Sequence, residues 1–472
     1  MELSGTHLFF MLLTVGLVIG VGLYAARQVK SAEGYSLGGR SAGAMMVAGS
    51  IAGTVVGGGA TVGTAQLAYT VGLSAWWFTL GSGIAFILMG LFYARPLRAA
   101  GLTTIPEVLA AHYGKSAGTI ASLVASAGIL LSAVASSLPG IGILSAVLGI
   151  GPWAAAGVLL FLTILYTFFG GMKSAGVGGL LKMGIIWVSL LLAGIAAWGA
   201  LPSGAAFSAA FPPLPWQSLF GAGVSAALAN LFALVVGVLS TQTYVQSIFS
   251  AASPAAAAAG AFTAALIVIP VGLPSVAVGL YMRLYQPDTM PLLVLPTFFA
   301  QHLPDWLGVV ALGGILLSLV GSIGGLSLGI GTMLTYDILA PRLDLRDPWS
   351  MLRLSRGVVL CVMGLAAFIA IRNLHSEVLF WNYLSMALRG GGIFLPLSLA
   401  LFWPRRIPPR WGLYSMALST AGAVYCSFLP SSPLHPLFIG LLISAGVLAV
   451  GAIRRGPKAE EKERRLSEGQ GK

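Results

Sequence analysis

An all-α protein that crosses a lipid bilayer about thirteen times is the fold class the sequence predicts, and three observations predict it. Only 8% of the 472 residues are charged and 57% are apolar. Soluble proteins average roughly 25% charged, so a water-facing surface cannot be built from this chain. Thirteen stretches reach about 20 mostly apolar residues, the length a helix needs to cross the hydrocarbon. The basic residues are also segregated: with the N-terminus outside, all but four of the 25 Lys and Arg fall in cytoplasmic loops or the C-terminal tail. Arg283 and Arg372 lie outside, and Lys182 and Arg389 lie within spans. The formal charge of +12 is therefore a feature of the cytoplasmic face. Its partner is the anionic lipid bilayer, and no nucleic acid is expected.

The expected spans cover about 7–26, 42–70, 73–94, 117–148, 152–171, 177–200, 218–249, 254–283, 306–336, 354–371, 378–403, 411–429 and 435–453, and are numbered 1 to 13 in that order. Span 1 has only Glu2 as a charge before it and no basic start, so it reads as a retained helix rather than a signal peptide. Span 2 carries Gly49 and Gly53, then Gly57, Gly58 and Gly59 in succession, with Thr54 and Thr61 beside them. Trp76 and Trp77 open span 3 and are expected at the membrane interface. Span 6 contains Lys182. Span 7 is the most polar, with Asn230, Ser240, Thr241, Gln242, Thr243 and Gln246. The alanine run 255–265 has good helix propensity and opens span 8. Arg389 sits in span 11 beside Gly390, Gly391 and Gly392. Cys361 and Cys426 have no metal-ligand spacing and read as small core residues. The whole of 1–453 is expected to be one transmembrane domain, and the mixed-charge tail 454–472 to be disordered.

Three consecutive glycines disfavour continuous helix by about 1 kcal/mol each relative to alanine. A break inside a membrane persists only where freed backbone groups are buried in protein or line a cavity. The glycines therefore serve either an ion or solute site or close helix packing. A glycine-rich span and a polar span five apart fit an inverted repeat, about 42–200 and 218–403, with spans 2 and 7 broken. That pattern favours a transporter over a structural membrane protein.

Five stretches then carry a family resemblance. Tyr35 to Gly43 reads YSLGGRSAG, Thr103 to Gly114 reads TTIPEVLAAHYG, and Tyr166 to Gly171 reads YTFFGG; later segments read LTYDI from Leu334 and LRGGGIFLP from Leu388. In this order and spacing the chain resembles the sodium:solute symporter family over about 7–453. The resemblance implies a five-plus-five inverted core with one helix before it and two after, and solute symport by alternating access without enzymatic chemistry. It further implies Na+ held by the carbonyls of Gly53 and Val56, the carbonyl of Ser318, and the side chains at 321 and 322. Ser322 keeps the hydroxyl there, whereas Gly321 stands where many relatives carry Ser. Relatives also follow Y-T-x-x-G-G with W-T-D-x-x-Q, but here 177–182 reads VGGLLK, with Lys182 in place of Gln. Val55 likewise stands where the proline symporter type has Asp.

None of the thirteen acidic residues falls inside an expected span, and the five histidines sit at interfaces or in loops. A carboxylate-based proton relay is therefore disfavoured. Sodium at Gly53, Val56, Ser318 and Ser322 is the expected coupling ion, with water or Thr54 replacing the lost hydroxyl. The alternative is a proton-coupled or uncoupled transporter that uses Lys182 in sodium's place, unless that side chain snorkels to the headgroups. Arg389 either meets a carboxylate of the solute or caps carbonyls of a neighbouring broken helix. With Lys182 it inclines the reading towards a small carboxylate solute. Thr54, Gly57, Gly58, Gln66, Gln242, Tyr244 and Arg389 are the candidate solute-binding or gating residues. There is no HExxH or P-loop, which argues against an enzyme, and no repeated filter segment, which argues against a channel. A transporter-like receptor is the remaining alternative. The expected location is the plasma (inner) membrane, N-terminus outside and C-terminus cytoplasmic.

Overall fold

The structure is a computed structural model that describes residues 32–168, 171–427 and 435–454, with isolated helical positions between 13 and 24. Span 1 and nearly all of the C-terminal tail, expected at 7–26 and 454–472, therefore lie outside the described residues. Among those residues the chain is helical with no strand, and one parallel bridge joins Ala42 to Ala251. The end of the bundle carrying Arg95, Arg98, Arg342 and Arg346 is called the basic end below, and the opposite one the far end.

Span 2 is two helices. Ala44–Val55 ends where Val56 leaves helical geometry (φ −79°, ψ 70°). A wide turn over Gly59–Gly63 then leads into Thr64–Val71. Gly72 stops that second half at φ 72°, a left-handed value that favours glycine. The break falls beside the glycine triplet because a chain without Cβ atoms can approach its neighbours there. Gly58 lies against Leu319, Pro139 and Ser136, each 3.1 Å from where a Cβ would stand, and Gly59 lies against Asn382 and Phe78, each 2.8 Å away.

Span 7 is broken as well: Val224–Leu239 and Gln242–Phe249 meet at a 42° bend. Between them Ser240 and Thr241 fold their hydroxyls back onto the carbonyls of Val236 (2.7 Å) and Gly237 (2.6 Å). That local bonding competes with helix continuation. The basic halves of the two broken spans are tied together. Ala42 N–H donates to Ser250 O at 3.0 Å, Ala252 N–H donates to Ala42 O at 2.9 Å, and the Ser50 and Ser247 hydroxyls lie 2.9 Å apart.

The other spans are long rods: Lys115–Leu148, Gly171–Ala200, Pro254–Tyr285, Asp305–Met333, Pro348–Arg372 and Val378–Phe402. The rod from Asp305 onward is the centre of the bundle, with 94% of its most apolar window buried, against 28% for the last helix, Pro436–Ile453. Between spans 3 and 4 the short helix Ile105–Tyr113 lies at the basic end. It is capped by Thr104 Oγ1, which accepts from Glu107 N–H at 3.0 Å, while Glu107 accepts from Thr103 N–H at 2.7 Å.

Among the described residues eight helices are long and apolar enough to cross a bilayer, or nine with the broken pair taken as one. The difference from the expected thirteen has physical causes besides span 1. From Gly59 to Ala99 helical turns follow one another without a gap, so the second half of span 2 and span 3 count as one apolar stretch of 41 residues although the chain turns at Gly72. Ala44–Val55 and Pro152–Tyr166 are shorter than a full crossing.

Candidate functional site

The carbonyls freed at the span 2 break face span 9. Ser318 Oγ donates to Val56 O, and Ser322 Oγ donates to Thr54 O at 2.6 Å. Of the expected ion set, Val56 meets Ser318 directly and Ser322 meets Thr54, while Gly53 and Gly321 both lie against the Lys182 side chain. Span 9 supplies the partners because it is small-residue-rich here: Ser318, Gly321, Ser322, Gly324 and Gly325 let the two backbones close. Thr54 faces the same seam. Its hydroxyl donates to Ser50 O at 2.9 Å and would lie 2.7 Å from a Cβ on Gly325. Gly57 has no room for a Cβ against the Ser322 side chain.

Lys182 enters this seam from span 6. Its side chain is 1% exposed. It passes Gly53, where a Cβ would stand 3.3 Å from its Cε, and reaches Gly321, where a Cβ would stand 2.5 Å from its Nζ. The ammonium donates to Ser318 O at 3.2 Å. The lysine therefore does not snorkel to the headgroups but ends among the groups expected to hold the ion. Spans 2 and 6 admit it by touching backbone to backbone, Gly53 against Gly179, with 2.9 Å between a Gly53 Cβ and Gly179 Cα.

A second centre lies around Arg389 on span 11, whose side chain is 0% exposed. Its stem lies against Gly128 of span 4, where no Cβ would fit, and Nη2 contacts Met386 Sδ at 2.8 Å. Nε and Nη1 are buried without a hydrogen-bond partner. The ion pairs among the described residues, Arg40–Glu33 and Arg346–Asp344, do not involve it. Tyr244, just past the span 7 break, is within electrostatic reach of the guanidinium and stacks edge-on against Phe86 at 5.3 Å. Ser132 and Ser385, 2.7 Å apart, and a bond from Ser385 Oγ to Gly128 O fasten spans 4 and 11 beside it. This serine pair escapes sequence reasoning, since Ser is common in membrane helices and nothing local distinguishes these two.

Two of the candidate solute-binding or gating residues, Gln242 and Gln66, tie helices together. Gln242 Oε1 accepts from Ile105 N–H at 2.8 Å and its Nε2 donates to Thr103 O at 3.2 Å, which pins the basic half of span 7 to the short helix Ile105–Tyr113. Gln66 Oε1 accepts from Val378 N–H at 3.1 Å, which pins the far half of span 2 to the start of span 11. Gln246 makes a further basic-end latch, donating to Ser36 O at 2.5 Å and to Thr332 Oγ1 at 3.1 Å. Trp76 and Trp77, expected at the membrane interface, donate to protein carbonyls: Trp76 to Ile269 O at 2.8 Å and Trp77 to Leu219 O at 2.7 Å. At the far end a cavity of about 680 Å³ opens between spans 2, 7 and 11, lined by Leu67, Trp77, Asn230, Glu377, Tyr383 and Leu388 among others. Leu388 in that lining is the residue before Arg389, which does not itself line the cavity. No cluster of His, Cys, Asp or Glu suited to a metal occurs among the described residues.

Residues 35–409 match the model of the sodium:solute symporter family. The mouse high affinity choline transporter 1 (Mus musculus) is 26% identical over 287 residues, 56% of this chain and 48% of that protein. The Caenorhabditis elegans high-affinity choline transporter 1 is 25% identical over 434 residues, 82% of this chain and 72% of that one. This chain spans about half the length of the mouse relative it matches. The backbone superposes on a Na+-coupled sialic acid symporter, solved in a substrate-bound outward-open state, with a TM-score of 0.82 and 19% identity over 96% of this chain and 97% of that one.

Proposed function

The chain belongs to the sodium:solute symporter family, and from that premise we propose that it is a secondary active transporter that takes up a small organic anion, a carboxylate first, by alternating access. The observation that carries the anion is Arg389, buried in the bundle with two guanidinium N–H groups unpartnered. A buried charge left without a counter-ion costs several kcal/mol, and a planar guanidinium matches a carboxylate bidentately. Tyr244 and the far-end cavity, which runs to Leu388, mark the route by which such a group would reach it. The choline of the named relatives is a cation, and this bundle buries two cations of its own, Arg389 and Lys182. A like charge held about 5 Å away costs about 3 kcal/mol at an effective dielectric of 20.

Alternating access would use the two sets of latches. Gln66 to span 11 closes the far end, and Gln242 and Gln246 close the basic end. The positive-inside rule makes the basic end cytoplasmic. Solute binding at the span 2 and span 7 breaks favours whichever set it fits, because a ligand shifts an equilibrium only by its differential affinity for the two states. Sodium is the ion in the family's name. Gly53, Val56, Ser318 and Ser322 remain its candidate site, and Lys182 Nζ shares it, 3.2 Å from Ser318 O.

The test is uptake by the purified chain in proteoliposomes under imposed sodium and proton gradients, with small carboxylates, choline and iodide as labelled solutes. Uptake of a carboxylate, abolished in Arg389→Gln, is expected. Uptake of choline with no carboxylate moved would overturn the reading.

A further inference from the structure

We propose that Lys182 is a tethered cation that competes with free sodium for the span 2–span 9 seam, so that this chain binds sodium at least tenfold more weakly than it does once the lysine is removed. The inference rests on the reading of that seam as the cation site. Three observations on separate helices meet in it. The ammonium of Lys182 donates to Ser318 O, a group of the expected ion set. The carbonyls of Val56 and Thr54 accept the Ser318 and Ser322 hydroxyls instead of facing an open shell. Gly321 supplies the space, since a single methyl there would stand 2.5 Å from Lys182 Nζ.

The last point joins two departures that look unrelated in the sequence. A serine at 321 would stand in the place the Lys182 tip now occupies, so the lysine reaches Ser318 O in this way only beside a residue without a Cβ. Sodium on the same carbonyl would sit beside a like charge, and like charges at such short range repel each other. Sodium therefore enters only when the side chain withdraws. A neutral side chain would remove the contest and leave carbonyl and hydroxyl oxygens, which a hard cation prefers.

Equilibrium binding of 22Na+ to the purified full-length protein tests this, with ionic strength held by N-methyl-D-glucamine chloride. Lys182→Met, which keeps the length and removes the charge, is expected to bind at least tenfold more tightly than the wild type, and Lys182→Met with Gly321→Ser more tightly still. Equal affinity in wild type and Lys182→Met overturns the proposal, as does absence of saturable binding in both. Should Lys182→Met give no cooperative melting transition, Gly321→Ala replaces it. Its methyl must displace the ammonium, so it too should gain sodium affinity, and unchanged affinity is an overturning result. The assay contains no solute. A chain that moves no carboxylate but shows this competition would fail the transport reading alone, and one that moves a carboxylate without the competition would fail this inference alone.

Discussion

Arg389 and Lys182 are both fully enclosed side chains, yet they are anchored differently. Lys182 has a carbonyl at its tip, whereas two donors of Arg389 have nothing. Arg389→Lys should therefore lower carboxylate uptake at least tenfold while the melting temperature stays close to the wild type, because an ammonium keeps the charge but not the two-pronged donor geometry. Uptake and thermal melting on the same preparation check it. Ser322→Ala should act the other way, costing about 1–3 kcal/mol of stability by leaving the buried Thr54 carbonyl unpaired. Chemical denaturation of the reconstituted protein would read that loss. At this scale the sequence marked both cations, since a charge inside an apolar run stands out. It also marked Gly321 and Lys182 as departures, but that one makes room for the other depends on which faces of spans 6 and 9 meet, and no linear spacing encodes that.

The broken helices were legible in unequal measure. Span 2 announces its break through Gly57, Gly58 and Gly59, and helical geometry ends one residue earlier, at Val56. Span 7 contains neither proline nor adjacent glycines at its bend. Its polar run from Ser240 to Gln246 brackets the bend, and there both amide ends of Gln242 and the Nε2 of Gln246 bond to neighbouring segments of the chain. A side chain's partner 137 residues away is set by packing and leaves no local trace. The latch has a measurable consequence. Gln242→Ala removes two hydrogen bonds to the stretch Thr103–Ile105, each worth about 1 kcal/mol. Amide exchange of residues 105–113 should then speed up roughly tenfold or more, with little change in the far-end helices, as hydrogen-exchange mass spectrometry would show. Uniform acceleration along the chain would mean general destabilisation and no latch.

Over the whole molecule, the scarcity of charge and its one-sided placement foretold a helical membrane protein, while the helix count was less legible because hydropathy does not register where one rod runs into the next. The charge rule predicts a cytoplasmic C-terminus: alkaline phosphatase fused after residue 454 should be inactive and a fluorescent protein there should fluoresce, and the reverse result would invert the assignment. The bridge between Ala42 and Ala251 bears on movement at this scale. Helices Ala44–Val55 and Gln242–Phe249 come from opposite halves of the chain, yet two backbone bonds and a serine pair join them at the basic end. In any movement between the two halves they would act as the two arms of a yoke, since swinging one aside alone requires breaking the bonds at Ala42. A release of solute to the basic side would then be a single concerted stroke.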